Sequence, residues 1–350
     1  MNLYRAMDPN LVIFDFLVFT NDTCDFDSEI QSRGGRLFRV PTTHRPHLLQ
    51  RMLRTYYILR QHPELKAIHS HVGHTTGYML TVARFAGVKV RVDHAHNAST
   101  TAAQAPLRRV FASTSRWLSS RSATHSLACS HAAARYHFKK TVAYDFFPNA
   151  IDLDHWASQS RMATLDWADF FPQAHSGTKL LQVGRIAPVK NLQMTLRILR
   201  ALLDAGDQAS LLIVGAGPQE REIEDMIDVL ELGNAVTLLG VRSDIEQLMA
   251  SASCLLLPSH FEGFPVVLVE AQALGLRALV SNRVSSEVDL QVGLIDFLPL
   301  DDVQQWVAAI RSVGSDVNPN DTSRLETIRA HGFDSQTASR RLSDIYLAVL

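Results

Sequence analysis

The chain lacks the features that would staple or anchor it. Its three cysteines, Cys24, Cys129 and Cys254, are odd in number and scattered through 350 residues, which excludes a disulfide framework and reads as free thiols in a reducing cytoplasm. No apolar run reaches the roughly 18 residues that a membrane-spanning helix needs, and no signal-peptide pattern is visible. The expected location is therefore cytoplasmic, with neither a span nor a secretory route. Net charge is also nearly absent, at -1, but that value conceals a division: residues 1–150 carry 19 Lys or Arg against 9 Asp or Glu, and residues 151–350 carry 15 against 26. The halves face different partners. A basic half attracts nucleic acid or anionic lipid, and since no nucleic-acid module accompanies it, nucleic acid is not expected. What the chain does have is apolar content, 46% over a length beyond the usual limit of one core, which predicts two domains.

In the C-terminal half, short apolar runs alternate with loops and helices. Residues 179–183 read as a strand running into Gly184 and Arg185, then Lys190 and Asn191, then a helix with Leu192, Leu196, Leu199 and Leu203 on one side. Residues 211–214 are a second strand, followed by Gly215, Gly217 and an acidic helix over 219–230; residues 236–239 are a third, ending at Gly240, Arg242 and Asp244. Residues 255–257, too short for a helix, read as a buried parallel strand that stops at Pro258. Glu262 and Glu270 follow with seven residues between them. Gly263 allows close approach of backbone to a ligand, and Pro265 suits the first position of a helix, where a missing N–H costs nothing. That helix N-terminus opens towards the carboxyl end of the strand, where doubly wound sheets bind ligands and where backbone N–H groups and the helix dipole favour a phosphate. With Glu262 on the loop and Glu270 in the second turn, one acid can reach a ribose diol and the other a sugar hydroxyl. The same pattern also describes a plain strand, turn and amphipathic helix with two solvated acids. The Gly215–Gly217 loop fails the dinucleotide fingerprint, because position 220 is Glu where a third glycine is required, and reads as a structural turn.

In the basic half, residues 11–19 read as a strand broken by Asp15, 36–40 as a strand, 48–61 as a helix, 67–69 as a strand end, 78–86 as a helix, 88–92 as a strand and 126–130 as another. This alternation predicts a second doubly wound domain. Its strand ends are loaded with imidazoles: His69, His71 and His74, then His94 and His96 beside Asn97. A zinc site is one reading, but no carboxylate or thiolate spacing accompanies it, so histidines facing a cleft are preferred and no metal is expected. Alternation along the strand places His94 and His96 on one face. The densest basic stretch, with Arg108, Arg109, Arg116, Arg121, Arg135, Lys139 and Lys140 around Phe111, Trp117 and Leu118, is either a solvated helix or a surface resting on anionic lipid.

Taken in order, Val183-Gly184-Arg185 with Lys190-Asn191, the segment from Gly240 to Asp244, Pro258-Ser259, Glu262-Gly263-Phe264-Pro265, Glu270-Ala271-Gln272, and Ser281-Asn282 leading to Glu287 resemble the donor domain of family 4 retaining glycosyltransferases of the GT-B fold, in their capsule and exopolysaccharide branch. The resemblance implies two Rossmann-like domains facing a cleft: residues 1–155 on the acceptor side, 156–335 binding the donor, and 336–350 as a helix packing back on the first. It implies transfer, with retention, of a hexose or N-acetylhexosamine from a nucleotide-diphosphate sugar to a glycan or polyprenyl-diphosphate-linked acceptor, in surface polysaccharide synthesis. Donor contacts would come from Gly184, Arg185, Lys190, Gly215, Gly217, Arg242, Glu262, Gly263, Phe264, Pro265 and Glu270. Among these, Arg185 and Lys190 would stabilise the departing diphosphate without any divalent ion or other cofactor, Glu270 would hold the ribose and Glu262 the donor sugar. His94 matches the histidine that faces the reacting sugar, with His71, His74, His96 and Asn97 as acceptor-side candidates.

Two departures stand out. Ala150 stands in Pro148-Asn149-Ala150-Ile151-Asp152 where the family's interdomain linker usually has glycine, and the chain reads as starting inside the first helix, so that a central first strand and its glycine-rich loop are expected to be missing and activity weak. The Asp-x-Asp spacings at Asp25/Asp27 and Asp152/Asp154 fit no metal-dependent site. Rival activities on this architecture are a sugar-nucleotide epimerase, a phosphorylase, or a non-catalytic partner that binds nucleotide sugar.

Overall fold

Apolar runs of three to six residues, too short for helices, become parallel strands in both halves. The computed structural model describes residues 1–40, 47–96, 106–159, 165–171, 177–314 and 322–348. The chain divides into two compact units, Met1–Ala150 with Asp334–Leu350, and Ile151–Phe333.

In the first unit, β1 (Phe16–Val18) and β2 (Leu37–Arg39) pair in parallel as a two-stranded sheet. A separate four-stranded parallel sheet has the order β3 (Ala67–Ser70), β4 (Val90–Ala95), β5 (His125–Ala128), β6 (Asp145–Phe146). The strand expected over 11–19 contracts to β1 because Asp15 is claimed by Arg36, whose backbone N–H and guanidinium both donate to its carboxylate, and because Leu11 and Ile13 stay exposed. The strand expected over 88–92 instead runs from Val90 to Ala95 and carries His94 within it. Val90, Val92, Leu127 and Phe147 form the core with Ala338, Leu342 and Tyr346 of the final helix, Ser335–Leu347. That helix is started by the Asp334 carboxylate, which accepts from the Thr337 N–H as an N-cap should. Burying Leu342 and Tyr346 stabilises the docked helix by roughly 1.5–3 kcal/mol per side chain, enough to make the chain's last segment part of the first unit's core.

The second unit holds a six-stranded parallel sheet. Its strands are β7 (Thr178–Val183), β8 (Ala209–Val214), β9 (Val236–Leu238), β10 (Cys254–Leu257), β11 (Ala278–Ser281) and β12 (Ile295–Leu298), in the order β12-β11-β10-β7-β8-β9. All of β8 and β10 is buried, as unbroken Leu, Ile and Val runs require when helices cover both faces. Leu196, Leu199 and Leu202 of the Leu192–Asp204 helix pack onto this sheet with Trp306, whose indole N–H donates to the Pro299 carbonyl at 2.7 Å. The order carries the functional consequence. The chain proceeds outward from β7 to β9, then returns past β7 to lay down β10 on its other side, so the sheet reverses direction between β7 and β10. A crevice opens outside the carboxyl ends of strands at such a reversal.

Candidate functional site

Two loops leave the carboxyl ends of β7 and β10 and are laced together. The Asn191 side-chain amide donates to the Pro258 carbonyl at 3.1 Å, the His260 N–H donates to the Val189 carbonyl at 2.9 Å, and the Lys190 ammonium donates to Glu262 Oε1 at 2.7 Å. Asn191 has φ 52°, a left-handed conformation that asparagine tolerates better than most residues, and this turns its side chain across to the neighbouring loop. Lys190 is held from behind, where Gln182 donates to its carbonyl at 3.1 Å and Thr195 donates to Gln182 at 2.6 Å in the core. Ser259, fully buried, donates to the same Glu262 oxygen at 2.6 Å. The Lys190 and Glu262 side chains retain only 16% and 12% of their exposure, so the pair is partly desolvated.

Glycine is obligatory where these loops approach. Gly215 has φ +131°, and a Cβ there would sit 2.0 Å from the Gly184 carbonyl oxygen. Gly184, at φ +148°, lies against the Lys190 side chain, which a Cβ would meet at 3.2 Å. Gly217 does not present a free donor, because its N–H is taken by Glu220 at 2.6 Å. Arg242 is forked onto Asp244 at 2.8 and 2.6 Å, so its guanidinium is already engaged. Arg185 is exposed beside Gly184, with no hydrogen bond or ion pair among the described residues.

Pro265 is not the first helical residue but the N-cap, with ψ 104°, and the helix is Val266–Leu274. Phe264 is buried and stacks on Phe333 at 5.3 Å, which leaves its backbone rather than its ring available to a ligand. Glu270 lies in the second turn with no partner among the described residues. Burial, and then the nearby Glu246 carboxylate, push its carboxyl up to about 7. A carboxyl group held half-buried and unpaired is a functional-site signature. A separate cavity of about 510 Å³ at the ends of β10, β11 and β12, lined by His260, Asn282, Arg283, Leu300 and Asp301, contains neither Lys190 nor Glu262; the laced loops at the sheet reversal therefore carry the assignment.

In the first unit, the register of β3 with β4 pairs Ser70 with Asp93, which sets His71 beside His94. Four imidazoles gather there. His69 Nε2 lies 3.1 Å from His94 Nδ1, His71 Nδ1 lies 2.7 Å from His96 Nε2, and the rings of His94 and His96 are 4.1 Å apart. Phe147 fixes the tautomers. Its carbonyl only accepts, so the His94 Nε2 facing it at 3.0 Å carries the proton and Nδ1 is a lone pair. His69 then donates from Nε2 to His94 and accepts at Nδ1 from the Tyr346 hydroxyl at 2.5 Å. Burial lowers His69 and His94 well below the usual histidine value, with their imidazole neighbours adding to it, and His71 and His96 shift in the same direction, again from desolvation first. His94 is thus buried with both nitrogens occupied, while His71 is the exposed member. His74 leaves the group and bonds Tyr136 at 2.9 Å, and Asn97 lies outside the described residues. Beneath the cluster, the buried Asp93 accepts from Ser119 and pairs with His137 at 2.8 Å. Ser259, Tyr346 and Phe147 carry none of the charge or spacing that marks a site in sequence; only the contacts they make identify them.

Residues 167–316 match the family described as Glycosyl transferases group 1. The putative glycosyltransferase EpsF of Bacillus subtilis is 33% identical over 353 residues, covering 99% of this chain and 91% of that protein. The UDP-Gal:alpha-D-GlcNAc-diphosphoundecaprenol alpha-1,3-galactosyltransferase of Escherichia coli is 25% identical over 327 residues, covering 89% and 84%. Among solved structures, Anabaena HepE in complex with UDP is similar with a TM-score of 0.75 at 18% identity, covering 95% of this chain and 91% of that one, a likeness of fold that agrees with the expected GT-B class of two parallel-sheet α/β units.

Proposed function

The chain belongs to the group 1 glycosyltransferases, and from that premise we propose that it transfers a hexose or N-acetylhexosamine, with retention, from a nucleotide-diphosphate sugar to a glycan or polyprenyl-diphosphate-linked acceptor in exopolysaccharide or capsule synthesis. The observation that carries this reading is the Lys190–Glu262 pair spanning the sheet reversal, with Glu270 unpaired among the described residues in the second turn of the helix that follows. UDP is the first donor base to test, because a relative is named for UDP-Gal and a structural neighbour holds UDP.

On donor binding, the diphosphate competes with Glu262 for the Lys190 ammonium, and the exposed Arg185 adds a planar fork for phosphate oxygens. Glu262, released on one oxygen and still held by Ser259, accepts from a sugar hydroxyl. Glu270 gives up its proton and accepts from the ribose diol. As the anomeric C–O bond breaks, its electron pair passes to the diphosphate oxygen, where Lys190, Arg185 and the N–H groups at Gly263 and Phe264 stabilise the charge, so this reading needs no divalent ion. The acceptor oxygen attacks the same face and its proton goes to the leaving diphosphate. Of the first unit's histidines, His94 has no free ring nitrogen and His96 faces both His71 and Asn149, so contact with a sugar falls first to His71.

A cytoplasmic location with peripheral contact to an anionic membrane completes the reading. Among the described residues no helix is long and apolar enough to cross a membrane. The His47–Gln61 helix, which has arginines at 51, 54 and 60 and no acid, exposes Leu49, Leu53 and Tyr57 at helical spacing, and the Pro106–Ser122 helix exposes Leu107, Val110 and Trp117 among its arginines. The test of the activity is turnover of UDP-glucose, UDP-galactose and their N-acetyl counterparts with chelator present and lipid-diphosphate or oligosaccharide acceptors. A product that keeps the donor's anomeric configuration by NMR supports the proposal; epimerised donor without acceptor, or an inverted product, opposes it.

A further inference from the structure

The imidazole cluster of the first unit has a geometry that a sugar contact by one exposed imidazole does not require, and the inference drawn from it does not depend on that contact. A ring nitrogen of each of His69, His71 and His94 lies within 4.8 Å of the other two. Zinc–nitrogen bonds of about 2.0–2.1 Å in a tetrahedral site put two ligand nitrogens about 3.3 Å apart. His69 Nε2 and His94 Nδ1 are 3.1 Å apart, so a shared ion asks only a few tenths of an ångström of that pair.

Their far nitrogens are already tied in the manner of metal-bound histidines, which usually pass the second N–H to a carbonyl or another protein acceptor. His94 donates to the Phe147 carbonyl, and His69 faces the Tyr346 hydroxyl. The phenol can accept as well as donate. The His69 proton therefore has a place to go: moving from Nε2 to Nδ1 and turning the bond to Tyr346 around frees Nε2 for the ion, and no net proton is lost from the neutral ring. His71 stacks on His69 at 4.2 Å and is the exposed member, and its bond to His96 at 2.7 Å is the contact it gives up in turning that nitrogen to the ion. A three-imidazole set is sufficient for zinc, and imidazole also suits nickel and copper. The missing carboxylate or thiolate spacing, which argued against a metal in the sequence, thus has no force once the ligands are gathered across two strands.

We propose that His69, His71 and His94 bind one divalent ion of the first transition row, zinc foremost. Bound there, the ion joins the ends of β3 and β4 to the C-terminal helix through Tyr346. The test takes the full chain, stripped with chelator and exchanged into metal-free buffer, and titrates it with Zn²⁺ by calorimetry and with Co²⁺ by visible absorption. One equivalent is expected, with the intense absorption of four- or five-coordinate Co²⁺, a higher Tm with Zn²⁺, at least tenfold weaker binding in His71→Gln, and unchanged binding in His125→Gln at the opposite end of the sheet. His71 is exposed, so its variant folds even if His94→Gln does not; near- and far-ultraviolet circular dichroism checks this. No saturable binding, several weak equivalents with a six-coordinate Co²⁺ spectrum, or equal affinity in His71→Gln would each overturn the site.

Discussion

Glu270 is the residue on which function and stability pull apart most clearly. Its carboxyl, raised from 4.5 to about 7, holds a proton in the folded chain that the unfolded chain has lost, so stability falls as pH rises through that window. Above pH 7 the deficit is on the order of 2 kcal/mol once residual solvent contact is allowed for. Glu270→Gln is therefore expected to raise Tm at pH 8 while weakening nucleotide binding at least tenfold, the trade-off typical of a functional carboxylate. Wild-type nucleotide binding near pH 7 should release a proton, seen as a dependence of calorimetric heat on buffer ionisation enthalpy that Glu270→Gln abolishes. Equal Tm curves for the two proteins at pH 5 and pH 8 would remove the argument. Lys190→Ala should cut turnover by about 10²-fold, the usual cost of one donor to a departing anion. The two acids and the cations stood out in sequence as candidates because they sit beside Gly, Pro and a buried strand end. What sequence did not contain was that Lys190 meets Glu262 directly, since the two are separated by 72 positions and only the strand order joins them. His94 illustrates the opposite case: its place at a strand end was readable, but the closure of both its nitrogens by His69 and Phe147 depends on neighbours far along the chain.

At the scale of elements, the turns after β7 and β8 approach each other closely enough to demand glycine. Gly215→Ala forces a Cβ to within 2.0 Å of a carbonyl oxygen at φ +131°, and a loss of about 1–3 kcal/mol or more, read as a lower Tm with nucleotide affinity reduced, is expected. Gly233→Ala, which meets open space, should leave both within error. The second-unit strands were legible because Leu, Ile and Val runs bounded by glycine have one structural meaning, whereas the run over 11–19 was overread because a pattern of apolar residues does not reveal that Arg36 captures Asp15. The exposed faces of the His47–Gln61 and Pro106–Ser122 helices predict a shared outcome: Leu53→Glu, or reversal of Arg108, Arg109, Arg116 and Arg121, should abolish flotation with anionic vesicles and leave the fold intact. Unchanged flotation in both variants would show that these faces touch something other than lipid.

Over the whole molecule, the two units respond to acid in opposite senses. His69 and His94 of the first unit have folded values below the ordinary 6.5, so the unfolded chain takes up more protons as pH falls, and their stabilisation, complete above 6.5, is lost on acidification towards the folded values. Glu270 in the second unit gains over the same range down to 4.5. Hydrogen exchange at pH 5.5 against pH 7.5, corrected for intrinsic rates, should therefore loosen β3 and β4 more than β10 and β11; uniform loosening would contradict these assignments. Two-domain architecture was readable from length and the alternating apolar runs, and the return of the last helix to the first unit, which the family resemblance implied, is carried by Leu342 and Tyr346 in a core that only the fold assembles. The central claim is a metal-independent nucleotide-sugar site at the reversal of the second sheet, and calorimetry tests it most directly: UDP, GDP, ADP and CMP titrated into the chain with chelator present, then repeated with Glu270→Ala. Saturable binding of one nucleotide at one equivalent, UDP first among them, weakened at least tenfold in the variant, is the predicted result; binding that survives Glu270→Ala unchanged, or that appears only when Mg²⁺ or Mn²⁺ is supplied, would contradict it.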